Sequence, residues 1–303
     1  KVYQQKKLQV LSFHCSGADL LGEKLPELIE AAKKYGAKYI VAGSSPKKED
    51  FSSLENIKAL AENYNRAGDV AAKHGLKIIE DAACAIGSTY RGKKIGAHGN
   101  IACFSFHPRK VITTGEGGMI TTDNEEFAAR VKRFRHHGMS ISDIARHESD
   151  EIIIESYPEI GYNYRMTDIQ AGIGIAQLEK LQVILKKRRE LAMRYNDAFR
   201  RISCLRVPSV PSYIEHNYQS YWIEILDNAP VTRDIFMRKL LKKGIATRRG
   251  IMAIHLEKCY SEYRVFLPET ERITKNTVLL PIYPSMTGEE QNYVIQCINE
   301  VLQ

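Results

Sequence analysis

No apolar stretch in the 303-residue chain approaches the ~20 residues that a membrane-spanning helix needs, so a membrane role is not expected. The opening, KVYQQKKLQVLSF, has cations but neither a long apolar core nor a small-residue cleavage site, so it does not read as a secretory signal. The cysteines at 15, 84, 103, 204, 259 and 297 are scattered and none forms a CxxC pair. That argues against a zinc site and against a disulfide framework, so no metal is expected and a reducing cytoplasm is the simplest home. No internal repeat is evident beyond an alternation of strand-like and helix-like segments. Acidic residues are outnumbered, 36 against 44 Lys and Arg, for a formal net charge of +8. No nucleic-acid-binding module accompanies that excess, so nucleic acid is not an expected partner.

The rest of the composition is that of a soluble globular protein, with 44% hydrophobic and 26% charged residues. The length suits one large domain or two ordinary ones. The cations gather in KKRR (186 to 189), RKLLKKG (238 to 244) and TRRG (247 to 250). Runs of this kind are usually solvated helix faces. The functional alternative is attraction of a small anionic substrate.

Along the first eighty residues, LQVLSFH, AKYIVAG and LKIIEDAA read as strands. LPELIEAAKKYG reads as a helix stopped by glycine, and SLENIKALAENYNRAGDVAAKHG as one long helix or two abutting ones. A β-α-β-α-β order predicts parallel pairing with right-handed crossovers. GNIACFSF and GGMITT add strands, and NEEFAARVKRFRHHG adds a helix. Residues 139 to 162 read as a loop with a short strand. Residues 167 to 202 read as one long helical segment capped at Thr167 or Asp168. Prolines at 208 and 211 place a domain boundary there, before a second α/β unit made of YQSYWIEIL, the helix RDIFMRKLLKKG, IATRRG and a terminal helix from 288.

Three stretches carry chemistry in one order: IIEDAACAIG, CFSFHPRK and GEGGM. Asp81 falls at the C-terminal end of a predicted parallel strand, and Ser105 and Lys110 follow the next strand. In open α/β sheets ligands bind at that edge. A lysine, a carboxylate and a hydroxyl together suit pyridoxal 5'-phosphate (PLP), which needs an amine for its aldehyde, an acid for its ring nitrogen and donors for its phosphate. Taken singly, a strand-end aspartate is usually a cap and a lysine a solvated cation. Cys84 and Cys103 read as small packing residues rather than nucleophiles.

From about residue 78 onward the chain resembles the DegT/DnrJ/EryC1/StrS family of PLP-dependent sugar aminotransferases. The resemblance is carried by IEDAACAIGSTYRGKKIGAHGNIACFSFHPRK, GEGGMITT, RHHG, GYNYRMTDIQAGIGIAQLEKL, YQSYWI and GIATRRG. It implies a fold type I α/β architecture: a three-layer large domain over residues 78 to 207 and a smaller C-terminal α/β domain over 208 to 303. By position, Lys110 resembles the Schiff-base lysine and Asp81 the carboxylate that pairs with the pyridine nitrogen. Ser105 resembles a phosphate ligand, and Asn163 the asparagine that reaches the phosphate of a neighbouring subunit's cofactor, which implies a homodimer. Cys84 stands where the family usually has glutamine or histidine near the ring hydroxyl. His107, Arg248 and His255 are expected to line the substrate pocket. The implied reaction moves an amino group, with glutamate as donor, to a keto sugar attached to a nucleotide.

The front differs. The family's SGTAAL-like turn and its ring-stacking aromatic are not recognisable before Asp81. Residues 7 to 77 instead resemble the xylose-isomerase-like TIM-barrel family of sugar phosphate isomerases and epimerases. The carrying stretches are VLSFHCSG, LPELIEAAKKYGAKYIV and ENYNRAGDVAAKHGLK. Two origins stay open: a composite chain with a barrel-like front, and a diverged aminotransferase front. Three activities stay open as well: transamination, a folded but non-catalytic scaffold with an incomplete PLP site, and sugar phosphate isomerisation, whose metal ligands have no counterpart here.

Overall fold

The computed structural model describes residues 12–16, 25–35, 39–44, 77–99, 101–141, 146, 149–261 and 266–303. The helical reading of residues 53 to 75 lies outside them. The described residues up to Lys180 form one compact unit, and those from Leu181 onward form another.

In the first unit, strands β1 (Ser12–Ser16), β2 (Tyr39–Ser44) and β3 (Lys77–Asp81) lie side by side in parallel. Helix α1 (Leu25–Tyr35) follows β1 in the chain. Its apolar spacing buries Ile29 and Ala32 on one face, and Lys33 and Lys34 occupy the last turn, where cations suit the helix dipole. After β3 the chain forms a tight hairpin, β4 (Thr89–Tyr90) and β5 (Lys93–Lys94), that the sequence reading did not foresee. Strand β6 (Ile101–Ser105) then pairs parallel with β3, and β7 (Gly118–Thr121) pairs antiparallel with β6. The sheet order is β1-β2-β3-β6-β7. The parallel expectation for the front of the chain therefore holds for β1, β2 and β3, β6 extends it, and β7 returns antiparallel beside β6 after the connection formed by residues 106 to 117.

Helix α2 (Glu125–Phe134) starts where Asn124 Oδ1 accepts the Phe127 N–H at 2.7 Å. The short strand read within 139 to 162 is not found among the described residues there; an isolated antiparallel bridge between His136 and Asn163 flanks that stretch. Helix α3 (Asp168–Glu179) is capped by Thr167 in a reciprocal box, since Thr167 Oγ1 accepts the Gln170 N–H and Gln170 Oε1 accepts the Thr167 N–H. The segment read as one helix ends at Lys180, and a second helix, α4 (Leu181–Phe199), begins at once.

The second unit holds an antiparallel sheet ordered β11 (Arg248–Arg249), β12 (Thr277–Leu280), β10 (Tyr221–Ile225) and β8 (Leu205–Arg206). A two-residue strand, β9 (Ile214–Glu215), lies between β8 and β10 in the chain. Helices α5 (Arg233–Lys242), α6 (Pro268–Asn276) and α7 (Gly288–Leu302) complete the unit. The sequence reading named neither α6 nor β12. Its boundary near residue 208 also differs from the observed division at Lys180 and Leu181. The reason is packing: Leu191, Ala192, Tyr195 and Phe199 of α4 share one core with Tyr221, Ile223, Phe236, Leu240 and Ile298. Tyr195 stacks on Phe199 and leans on Tyr221 with ring centroids 5.6 and 4.9 Å away. Its hydroxyl donates to the Pro281 carbonyl at 3.0 Å, so the buried phenol is not left unsatisfied. The prolines at 208 and 211 mark a surface connection inside this unit.

Among the described residues no helix is long and apolar enough to cross a membrane.

Candidate functional site

Strands β3 and β6 run parallel, with Asp81 opposite Cys103. Their C-terminal ends therefore open on one edge of the sheet, and Asp81 and Ser105 are the last residues of the two strands. Asp81 Oδ1 accepts the Ala83 N–H at 3.1 Å, which turns the chain sharply out of the strand. The thiol of Cys103 is pushed up by burial and by the nearby charge of Asp81, so the carboxylate acts on the floor of the edge.

Ser105 is followed by a turn whose polar groups are nearly all committed. Ser105 Oγ accepts the His107 N–H at 3.3 Å. Because that oxygen is the acceptor, the hydroxyl hydrogen remains available to donate outward. The His107 carbonyl accepts the Lys110 N–H at 2.9 Å, and His107 Nδ1 accepts the Arg109 N–H at 3.1 Å. Immediately after Lys110 the chain dives inward: Val111, Ile112 and Thr114 are buried. The backbone of Lys110 is thus anchored by apolar burial on one side and by a hydrogen-bonded turn on the other. Its side chain stays at the edge, where Nζ donates to Cys84 Sγ at 3.0 Å.

The glycine-rich turn closes this end of the sheet. The Phe106 N–H reaches the Gly117 carbonyl at 2.8 Å, Thr113 Oγ1 donates to the Phe106 carbonyl at 2.8 Å, and Thr114 Oγ1 donates to the Glu116 carbonyl at 2.7 Å. Gln170 Nε2, one residue turn into α3, donates to the same Glu116 carbonyl at 3.0 Å. At Gly118 a Cβ would press into the Phe104 carbonyl at 2.7 Å, which explains why GEGG ends in a residue without a side chain. The carboxylate of Glu116 faces His107 Nε2 across 3.8 Å. Sequence reasoning passed over Glu116; its only signal was its place inside the glycine run.

Asn163 is exposed and held by other partners. It bridges His136, while the His137 N–H meets the Tyr162 carbonyl at 3.0 Å and the Tyr164 N–H meets the Arg135 carbonyl at 3.0 Å. RHHG and GYN are thereby one crossing of two chain segments. Gly138, at φ +76°, and Gly161 approach so closely that neither could carry a Cβ. Arg248 and His255 belong to the second unit. Arg248 is exposed on β11, and His255 Nε2 lies 3.1 Å from Glu271 Oε1. Of the residues singled out from the sequence, the structure gathers Asp81, Cys84, Ser105, His107 and Lys110 along one sheet edge of the first unit. Asn163 sits in the crossing, and Arg248 and His255 lie in the second unit.

Residues 61–299 match the family model described as the DegT/DnrJ/EryC1/StrS aminotransferase family. An uncharacterised protein of Methanocaldococcus jannaschii is 38% identical over 238 residues, covering 77% of this chain and 62% of that protein. The spore coat polysaccharide biosynthesis protein SpsC of Bacillus subtilis is 34% identical over 240 residues, with the same two shares of 77% and 62%. The chain thus spans 62% of the length of the curated relatives it matches. Among solved structures, the sugar aminotransferase CalS13 from Micromonospora echinospora superposes with a TM-score of 0.72 at 26% identity, covering 98% of this chain and 76% of that one. The architecture is that of the fold type I PLP enzymes. The family match begins before residue 78, and the superposition takes in the front of the chain. These matches lend no support to a barrel ancestry for residues 7 to 77.

Proposed function

The chain belongs to the DegT/DnrJ/EryC1/StrS aminotransferase family, and from that premise we propose that it transfers an amino group from glutamate to a keto sugar carried on a nucleotide. The family depends on PLP, and the donor set at the β3–β6 edge fits that cofactor: one primary amine, one carboxylate at a strand end and one hydroxyl whose hydrogen is not used in accepting the His107 N–H. Bound there, the cofactor supplies an electron-accepting ring next to the substrate carbon.

The chain's own residues have separable tasks. Lys110 Nζ would hold the cofactor's aldehyde end and later carry a proton at the substrate carbon, work for which an amine at a strand edge is suited. Asp81 would keep the ring nitrogen protonated. Ser105 would donate to the phosphate, and Cys84, already touching Lys110, would lie beside the ring hydroxyl. The observation that carries the reading is the contact of Lys110 Nζ with Cys84 Sγ at the edge shared by Asp81 and Ser105.

A homodimer belongs to the same reading, with Asn163 completing the phosphate site of the second copy. Helix α3 supports it, because Ile169, Ile173, Ile175 and Leu178 are all exposed, and that much apolar side chain left in water on one helix usually has a partner.

The test is a titration with PLP followed by visible absorbance. A saturable visible band is expected. The sequence before Asp81 carries no stretch resembling the family's phosphate-binding turn, and loss of two hydrogen bonds to a charged group would weaken affinity by roughly two to four powers of ten. Absence of any band at saturating PLP would overturn the proposal, whereas tight stoichiometric binding would remove the expected weakness alone.

A further inference from the structure

We propose that His107 is a positioning residue for Lys110, acting through the backbone turn rather than by contact with substrate. It rests on the reading of Lys110 as the functional amine, but the turn itself is visible without any cofactor.

The imidazole has two nitrogens and both are assigned. Nδ1 accepts the Arg109 N–H at 3.1 Å, so it carries no proton. The proton of the neutral ring is therefore on Nε2. Nε2 faces the Glu116 carboxylate at 3.8 Å, too far for a direct hydrogen bond but of the right sign to favour the N–H at that end. Both observations select one tautomer. The carbonyl of the same residue accepts the Lys110 N–H at 2.9 Å. One residue thus captures two successive N–H groups, one with its side chain and one with its backbone. Its own N–H is held by Ser105 Oγ at 3.3 Å.

The consequence is mechanical. Pro108 has no N–H, so Arg109 and Lys110 supply the first two donors after His107. With both tied back and Val111 and Ile112 buried directly afterwards, the Cα of Lys110 has little freedom. Its long side chain is then aimed from a fixed base toward Cys84. Remove the Nδ1 acceptor and that hydrogen bond from the Arg109 N–H is lost, which loosens the turn just before the lysine.

Three variants separate the two roles. In His107→Asn the side-chain oxygen sits near the place of Nδ1 and can still accept from Arg109. In His107→Gln the oxygen reaches toward the place of Nε2, and His107→Ala keeps neither. The first readout is amide hydrogen exchange at Arg109 and Lys110 in the protein without added cofactor. Exchange should accelerate about fivefold in the glutamine and alanine variants, the equivalent of one lost hydrogen bond, and stay near wild type in the asparagine variant. The second readout is the rate at which PLP with borohydride labels Lys110, which should fall in the same order. Equal behaviour of the asparagine and glutamine variants, or unchanged exchange in the alanine variant, would overturn the proposal. If the alanine variant fails to fold, the asparagine and glutamine pair decides alone. If wild-type Lys110 takes no label, the functional reading fails, and the exchange data still judge the turn.

Discussion

Two helices follow one another directly in this chain, and the fold treats them in opposite ways. Helix α3, DIQAGIGIAQLE, has one acidic residue at each end and no Lys or Arg, yet it buries none of its residues. Helix α4, LQVILKKRRELAMRYNDAF, is crowded with cations and buries Leu185, Arg188, Leu191, Ala192, Tyr195 and Phe199. Apolar content therefore did not decide burial; arrangement did. In α4 the apolar residues recur on one stripe, which the second sheet covers. In α3 they surround the helix, and Ile169, Ile175 and Leu178 remain more than half or about half exposed. The buried Arg188 shows how fully α4 belongs to its core. Its guanidinium donates to the carbonyls of Tyr218, Gln219 and Ile282 and so ties the loops beside β10 and β12.

The contrast can be broken most directly by truncation. Phe199→Ala should cost about 3–5 kcal/mol of stability, the usual range for a fully buried aromatic. Ile173→Ala in α3 should stay within about 0.5 kcal/mol as a monomer, while weakening self-association in sedimentation. Denaturant melts of the two variants measure this. A large loss in the α3 variant and a small one in the α4 variant would reverse the account.

The sheet edge should be sensitive next. Asp81→Ala should remove a charge-assisted interaction of about 1.5–3 kcal/mol and should depress turnover more than cofactor binding, since in the proposed role the carboxylate would act chiefly as charge develops on the ring. Steady-state kinetics with a parallel PLP titration tests this. Near-native turnover with only a weaker Michaelis constant would show that the role is misassigned.

A smaller effect is expected at the crossing that carries Asn163. Gly161→Ala sets a methyl group against the backbone of Gly138 and should cost about 1–3 kcal/mol by overpacking. Limited proteolysis between residues 136 and 163 should reveal a loosened bridge. An unchanged cleavage pattern would mean that the crossing adapts.

Glu159 anchors the same crossing and should give the smallest effect. Partial desolvation opposes its ionisation, but hydrogen bonds from Arg130 and Arg133 outweigh that and hold its carboxyl below the usual range. A lowered carboxyl pKa contributes stability above the unfolded value, about 4.3, and loses it as pH falls through the folded value. Acid should therefore loosen this clamp, and Glu159→Gln should remove the dependence. A melt series showing the same acid slope in both proteins would contradict it.

Much of this was legible in the sequence, for identifiable reasons. Strand-forming runs ending in Asp81 and Ser105 are short and apolar, and the helices at 125, 233 and 288 each begin directly after an Asn or Thr cap in the structure. The break at Lys180 was not legible, because no glycine or proline marks it; only the different surroundings of the two helices do. Strand β12 was hidden because TVLL follows α6 without a turn signal. At the site, residue types pointed to Lys110, Asp81 and Ser105, but the tautomer of His107 and the part played by Glu116 depend on atoms brought together by the turn, which no spacing reveals.

The central claim is that Lys110, among the chain's 24 lysines, is the amine built to take the cofactor. Reduction with borohydride in the presence of PLP, followed by peptide mapping, tests it. The account predicts one labelled peptide, containing Lys110, with labelling lost in Lys110→Ala. A label on another lysine, or none at saturating PLP, would contradict it.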